Sequence, residues 1–353
     1  MNGLDVVLVE KDHHPRPKPC GGALGPRTIA ALDYDLSHLI ERKFQAAKVH
    51  RGSGKTSTLT RKDLEGYLVK RNVFDSFLID KAIEAGVEVF LDNEIVAIEQ
   101  LRKGVRALGV GDSYKAHLLV GADGVNGITS KQLDIRQHWS SEHVAVCISA
   151  QVPLASSEVE RIMTQKSDSE HTQSFIDLYY GPVEWGYGWC FPNKESLNIG
   201  LGCRVDKARG LRDKWGSFLS KLANDKDIKI RVTEKTSARV PFGSVSSRLI
   251  GRRSMLIGDA AGFVSPVSGE GISFAIESGI LAADIATEAI REKSPVHIVE
   301  YDRQMKMKHI QELKDLRFLA GIIYKSEDNL ELLFDIIDKD PVMSDYFTDI
   351  FTR

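Results

Sequence analysis

The sequence predicts a mixed α/β (α+β) fold, in which a three-layer α/β domain is interleaved with an antiparallel sheet and followed by C-terminal helices. Three observations predict it. Short β-branched or apolar runs end in an acid or an acid-glycine turn at 5–10, 116–124 and 255–259, and glycines 86, 269 and 271 punctuate the neighbouring helical patterns. The run Phe175-Ile176-Asp177-Leu178-Tyr179-Tyr180 sits among alternating, strand-like stretches that lack such endings. From Val296 onward the pattern is helical only.

The elements follow in order. Asp5-Val6-Val7-Leu8-Val9-Glu10-Lys11 reads as the second strand of a dinucleotide-binding unit, with Glu10 placed to bind adenosine ribose hydroxyls. In such units a first strand, a G-x-G-x-x-G turn and a helix occupy roughly 20 residues before that acid. Nine residues precede Glu10 here. Met1-Asn2-Gly3 therefore reads as the tail of that helix, with the pyrophosphate loop and about 25 residues of the unit absent from the chain as written. His13 and His14 stand in a polar loop without acids or further histidines at ligand spacing, and are read as solvated rather than as metal ligands.

Gly54-Lys55-Thr56 resembles the end of a phosphate loop, but Val49 stands where that pattern needs a glycine, so the segment reads as a polar turn. Arg71 to Ile83 is helical up to Gly86, with Asp75 in the favourable opening turn and Arg71 ahead of it free to reach a ligand. Ala116 to Gly124 is a strand running into Asp123-Gly124, where glycine lets the backbone approach a cofactor.

The densest signal is the run Leu256-Ile257-Gly258-Asp259-Ala260-Ala261-Gly262, continuing to Gly269-Glu270-Gly271-Ile272. It reads as a buried strand, an acid at its end, a small-residue loop and a helix start. A carboxylate there accepts hydrogen bonds from sugar-like hydroxyls, and the helix start presents N–H groups and a positive dipole end to a phosphate or an anionic ring. Toward the C-terminus, Tyr301 to Leu319 suggests a long helix, and Leu330 to Ile337 a second before Pro341.

Composition excludes several classes. The 353 residues are 42% hydrophobic and 27% charged, with a net charge of −2, which gives no general attraction to nucleic acid. Cys20, Cys147, Cys190 and Cys203 are far apart, arguing against a zinc site or a disulfide scaffold and for a reducing cytoplasm. No apolar run approaches the roughly 18 residues of a spanning helix, although peripheral contact with a bilayer stays open.

Taken together, Glu10, Cys20-Gly21-Gly22, Arg71-x-x-Phe74-Asp75-x-x-Leu78, Gly121-Ala122-Asp123-Gly124, Tyr187-x-Trp189-x-Phe191-Pro192 and Gly258-Asp259 resemble the geranylgeranyl reductase family over residues 4 to about 295. The Cys-Gly-Gly and Tyr-x-Trp-x-Phe-Pro elements discriminate most, because hydroxylases and halogenases share the nucleotide fingerprints. The chain departs from the family pattern at Gly127 and Ser130 and at Glu184-Trp185-Gly186, positions that bear on nicotinamide contacts and on substrate identity.

The resemblance implies an FAD-binding, Rossmann-like domain assembled from residues 1–45, 66–145 and 245–295, a substrate sheet from 46–65 and 146–244, and a helical region over 296–353. It implies a flavin-dependent reductase that saturates isolated double bonds of prenyl lipids or prenyl diphosphates. Glu10, Lys11, Cys20, Gly21, Gly22, Arg71, Asp123, Gly124, Gly258, Asp259, Gly269, Gly271 and Ile272 would hold the cofactor. Trp185, Tyr187, Trp189, Phe191 and Pro192 would line the substrate site, and Cys20 would donate a proton or gate it. No second glycine-rich fingerprint exists, which leaves the electron donor open between NAD(P)H and a ferredoxin. The rival readings are an FAD monooxygenase or halogenase on the same fold and a catalytically impaired remnant.

Overall fold

The computed structural model describes residues 3–60, 64–166, 172–241 and 248–352. The reading of Met1-Asn2 as a helix tail and the domain edge at residue 245 lie outside them.

The largest sheet runs in the order Glu234–Val240, Ala145–Pro153, Ser196–Arg204, Gly186–Pro192, Thr172–Tyr179, Ala46–His50 and Thr56–Thr60, with Thr164–Lys166 paired to Thr172–Tyr179 off this path. Its pairings are antiparallel except one: Thr172–Tyr179 runs parallel to Ala46–His50. That exception to the expected antiparallel sheet follows from the long excursion through the α/β part between the two strands, since a parallel pair needs a crossover rather than a hairpin. The Gly54-Lys55-Thr56 segment joins Ala46–His50 to Thr56–Thr60 in a hairpin, so the polar-turn reading holds.

Both faces of this sheet are covered. Trp189 and Phe191 point to the face under the C-terminal helices, with Leu316, Phe334 and Phe347, while Cys190 points to the other, with Trp215 and Phe218 of helix Leu211–Lys226. This two-residue alternation makes both sides of Gly186–Pro192 apolar. Each large side chain so buried contributes about 1.5–3 kcal/mol.

The α/β part is built from smaller sheets. Val7–Val9 pairs in parallel with Glu88–Phe90, and Leu119–Gly121 with Ser254–Leu256, the two ladders being separate. The stretch 116–124, expected as one strand, is divided: Ala116 closes the antiparallel meander Ile95–Leu101, Gly104–Gly109, Ser113–Ala116, and only Leu119–Gly121 joins the parallel ladder. Ala23–Leu24, Gly66–Val69 and Ile40–Phe44 form a further three-stranded sheet. Helix Arg71–Glu84 stops before Gly86, as its pattern predicts.

The helix Ile272–Arg291 follows the acid-bearing loop, and its buried residues, among them Phe274, Ala282 and Ile285, face a core shared with Tyr301 and Leu313. The long C-terminal helix is present as Ile298–Met305 and Gln311–Ile323, joined by the wider turn Lys306–Ile310. Glu327–Ile337 is the expected second helix, capped by the Ser326 hydroxyl, which accepts from the Asn329 N–H at 3.2 Å. Pro341, read as a stop, instead opens a further helix, Pro341–Thr352. Proline breaks a helix interior, but its fixed φ and missing N–H suit the first helical turn.

Candidate cofactor and substrate site

A cavity of about 430 Å³ lies where the large sheet meets the α/β part. Its lining combines a charged group, Lys18, Arg71, Asp75 and Asp259, with an apolar group, Trp185, Tyr187, Trp189, Phe191, Ile176 and Leu178. The loop Cys20-Gly21-Gly22 and the segment Gly269 to Ile272 form two further sides, and Phe351 and Thr352 of the last helix reach in from the C-terminal region.

Glycine sets two close approaches. At Gly21 a Cβ would stand 2.4 Å from the Phe191 ring, so only glycine lets this loop rest on the aromatic wall. Gly269 has φ +70, and a Cβ there would stand 2.7 Å from the Tyr187 hydroxyl. That hydroxyl donates to the Ser268 carbonyl, which ties the aromatic strand to the helix-start loop. The Cys20 loop is anchored through Asn198, whose amide donates to the Cys20 carbonyl at 3.0 Å and whose oxygen accepts the Trp189 indole N–H at 2.7 Å. Cys20 Sγ accepts from the Gly22 N–H at 3.4 Å.

Burial acts on the charged and the apolar parts of the lining alike. Burial pushes the Asp259 carboxyl up, against the pull of the Lys18 and Arg71 charges. Burial lowers Lys18, with Arg71 acting in the same sense and Asp259 opposing. Among the uncharged groups of the lining, burial raises the Tyr187 hydroxyl and pushes the Cys147 thiol up to about 12, so both keep their protons at neutral pH.

Two expectations are corrected here. Arg71 is not free: its guanidinium donates twice to Asp75, at 2.8 and 3.1 Å, the i,i+4 spacing on one helix face bringing the pair together. The helix start at Gly271 is not fully open either, because the Glu270 carboxylate accepts from the Ser273 N–H at 2.7 Å and from its hydroxyl at 2.8 Å. An acid at this end of a helix dipole is favourable, and burial raises its carboxyl against those two bonds.

Of the residues singled out from sequence, the cavity gathers Cys20, Gly21, Gly22, Arg71, Asp259, Gly269, Gly271, Ile272, Trp185, Tyr187, Trp189 and Phe191. Others stand apart from its lining. The Glu10 carboxylate accepts from the Asp12 N–H at 2.9 Å at the end of its strand, and Lys11 is exposed. Asp123 accepts from the Thr129 N–H at 2.8 Å and its hydroxyl at 2.7 Å, holding the turn that contains Gly124. Gly258 lies beneath Asp259, its N–H donating to the Ser278 hydroxyl at 3.1 Å, and Pro192 is buried at its strand end. His13 meets Asp92 at 2.8 Å on the surface, whereas His14, expected to be solvated, has a side chain only 6% exposed, 4.0 Å from the Glu10 carboxylate. Among the described residues, no three His, Cys, Asp or Glu side chains are placed to hold a metal ion.

Sequence reasoning missed Lys18, Asn198 and the C-terminal pair Phe351 and Thr352. Asn198 had a local signal, as a lone amide within the apolar strand Ser196–Arg204. The residues of the lining fit the ring and ribityl end of a flavin: the Asp259 carboxylate for hydroxyls, small residues where backbone must come close, and a flat apolar wall.

Comparison with known proteins agrees. The model of the FAD binding domain family matches residues 1–309. The chain is 26% identical to the digeranylgeranylglycerophospholipid reductase of Methanococcus vannielii, covering 93% of this chain and 83% of that protein. It is 28% identical to the geranylgeranyl diphosphate reductase of Rhodobacter capsulatus, covering 93% and 81%. In three dimensions it overlays a geranylgeranyl bacteriochlorophyll reductase-like protein from Thermoplasma acidophilum with a TM-score of 0.83 at 22% identity, covering 96% and 86%. The chain thus belongs to the FAD-binding domain family and is an FAD-dependent oxidoreductase similar to the geranylgeranyl reductases.

Proposed function

We propose that the protein saturates isolated carbon–carbon double bonds in polyprenyl chains, carried by a lipid or by a prenyl diphosphate, and that NAD(P)H or a ferredoxin re-reduces its flavin. The observation that carries this reading is that one cavity is lined both by a charged group around Asp259 and by an aromatic, apolar group around Tyr187 and Trp189. Bound reduced FAD supplies the hydride, which no side chain can provide. The chain's own residues have the remaining tasks. Asp259 and Lys18 hold the cofactor, and the loop Cys20 to Gly22 and the segment Gly269 to Ile272 press backbone against it. Trp185, Tyr187, Trp189 and Phe191 orient an isoprenoid chain by stacking and keep water out. Tyr187 stays protonated, its hydroxyl engaged with the Ser268 carbonyl at the cavity wall, and Cys20 in the same lining gives a proton to the carbon that does not receive the hydride or gates the site.

In this reading residues 1–45, 66–145 and 245–295 serve the cofactor, 46–65 and 146–244 the substrate, and 296–353 close the cavity. The protein works at or near a membrane surface, and among the described residues no helix is long and apolar enough to cross one. The test is anaerobic. Protein loaded with FAD and reduced chemically is mixed with geranylgeranyl diphosphate, and the product is expected to gain one H2 per double bond by mass spectrometry. Oxygen consumption with a hydroxylated product, or a protein that FAD cannot reconstitute, would overturn the proposal.

A further inference from the structure

Helix Gln311–Ile323 separates the inside of the molecule from the outside. Its residues Leu316, Ala320 and Ile323 are buried in the same apolar cluster as Trp189, Phe191 and Phe351, which line the cavity. The opposite face carries Phe318 and Ile322, 74% and 46% exposed. These two lie in an open surface groove with Lys314, Arg317 and Lys325, and every charged residue that lines the groove is basic. Arg317 is held in place by donating to His143 Nε2, and burial together with Arg317 lowers that ring's affinity for a proton. The two acids on the same helix are engaged by other side chains, Glu312 by the Arg27 guanidinium at 3.1 Å and Asp315 by the Gln311 amide at 2.9 Å.

We propose that this face seats the protein on an anionic lipid bilayer. An aromatic and a β-branched side chain standing out of a helix, ringed by lysine and arginine, match the depth profile of an interfacial helix: apolar groups enter the boundary with the acyl chains while the cations stay among the headgroups. The proposal rests on the polyprenyl-lipid reading of the cavity. Between the docked surface and the aromatic cluster stands the thickness of one helix, about 10 Å, so a lipid leaving the bilayer has a short path to the site.

The test is sedimentation of the FAD-loaded full chain with vesicles of phosphatidylglycerol and phosphatidylcholine in equal parts, and with vesicles of phosphatidylcholine alone. Binding is expected on the anionic vesicles, weakening with salt and about tenfold weaker on phosphatidylcholine. The pair Phe318→Ser/Ile322→Ser and the pair Lys314→Glu/Lys325→Glu should each weaken binding about tenfold, while unfolding temperature stays at the parent value because all four side chains are exposed. Absence of binding to any vesicle would overturn the proposal. So would parent-like binding by either variant, or self-association in light scattering that Phe318→Ser/Ile322→Ser abolishes, which would make the groove a contact with a second copy. Reduction of a soluble prenyl diphosphate without vesicles separates the two readings. Its failure with vesicle binding intact removes the substrate reading alone, whereas its success in a variant that no longer reduces vesicle-borne lipid supports both.

Discussion

Gly269 shows how one missing side chain shapes the cavity. With φ at +70 and Tyr187 at its Cα, the position carries two separate penalties for any other residue. Gly269→Ala should cost about 1–3 kcal/mol, read from the denaturation midpoint. In a Tyr187→Phe background, where the hydroxyl is gone, the same change should cost less, and an unchanged cost would mean that backbone conformation alone is responsible. Legibility at this scale depended on distance along the chain. Cys20-Gly21-Gly22 and the aromatic alternation from Tyr187 to Phe191 stand out because their pattern is local. Asn198 joins partners 9 and 178 residues away, and no window along the sequence contains both.

The helices around the wide turn Lys306–Ile310 are joined by a charged cluster. Arg27 donates to Glu277 at 2.7 and 3.0 Å and to His309 Nδ1 at 2.9 Å, and His309 Nε2 faces Glu277 at 3.0 Å. Because Nδ1 accepts from a guanidinium, the ring's proton sits on Nε2. Burial, with the Arg27 charge, lowers His309 from 6.5 to about 4. For Glu277 burial pushes upward, but the hydrogen bonds and charge of Arg27, with Lys308 and His309, more than offset it and bring the carboxyl down to about 2. Both groups bind protons more weakly in the folded than in the unfolded chain, so protonation favours unfolding. Stability from this cluster should be full above about 6.5, fall through His309 toward about 4, and fall again through Glu277 from 4.5 toward about 2. Urea midpoints measured across that range check it, and Glu277→Gln should flatten the lower part. A midpoint that rises on acidification would reverse the assignment. The helices themselves were visible in the sequence through their apolar spacing, whereas the ion cluster was not, since Arg27 lies 250 residues from Glu277.

At the scale of the molecule, one guanidinium adds an ionic tie to the apolar packing of the last helices on the large sheet. Arg51, in the hairpin turn, donates to Asp335 and Asp338 at 2.6 Å each and to Glu331 at 3.2 Å, and Lys55 adds a contact to Asp335 at 3.2 Å. Its side chain is 2% exposed while the acids are partly solvated, so Arg51→Met should cost about 1–3 kcal/mol rather than the full penalty of a buried pair. Hydrogen exchange should accelerate over 327–352 and remain slow in the Ser196–Arg204 strand; uniform acceleration would mean that the helices do not open separately. The chain's local patterns suffice for the mixed α/β class, for most of its elements and for a nucleotide-type ligand, because strand, acid, glycine and helix start follow one another within a few residues, while the flavin is what the family resemblance implies. Contacts between distant parts of the chain settle the rest. They bring Asp259 to the cavity and leave Glu10 and Asp123 to local hydrogen bonds, and they wall the substrate end with Phe351. Side-chain periodicity records which way a residue faces within its own element, but it carries no information about which other element that face will meet.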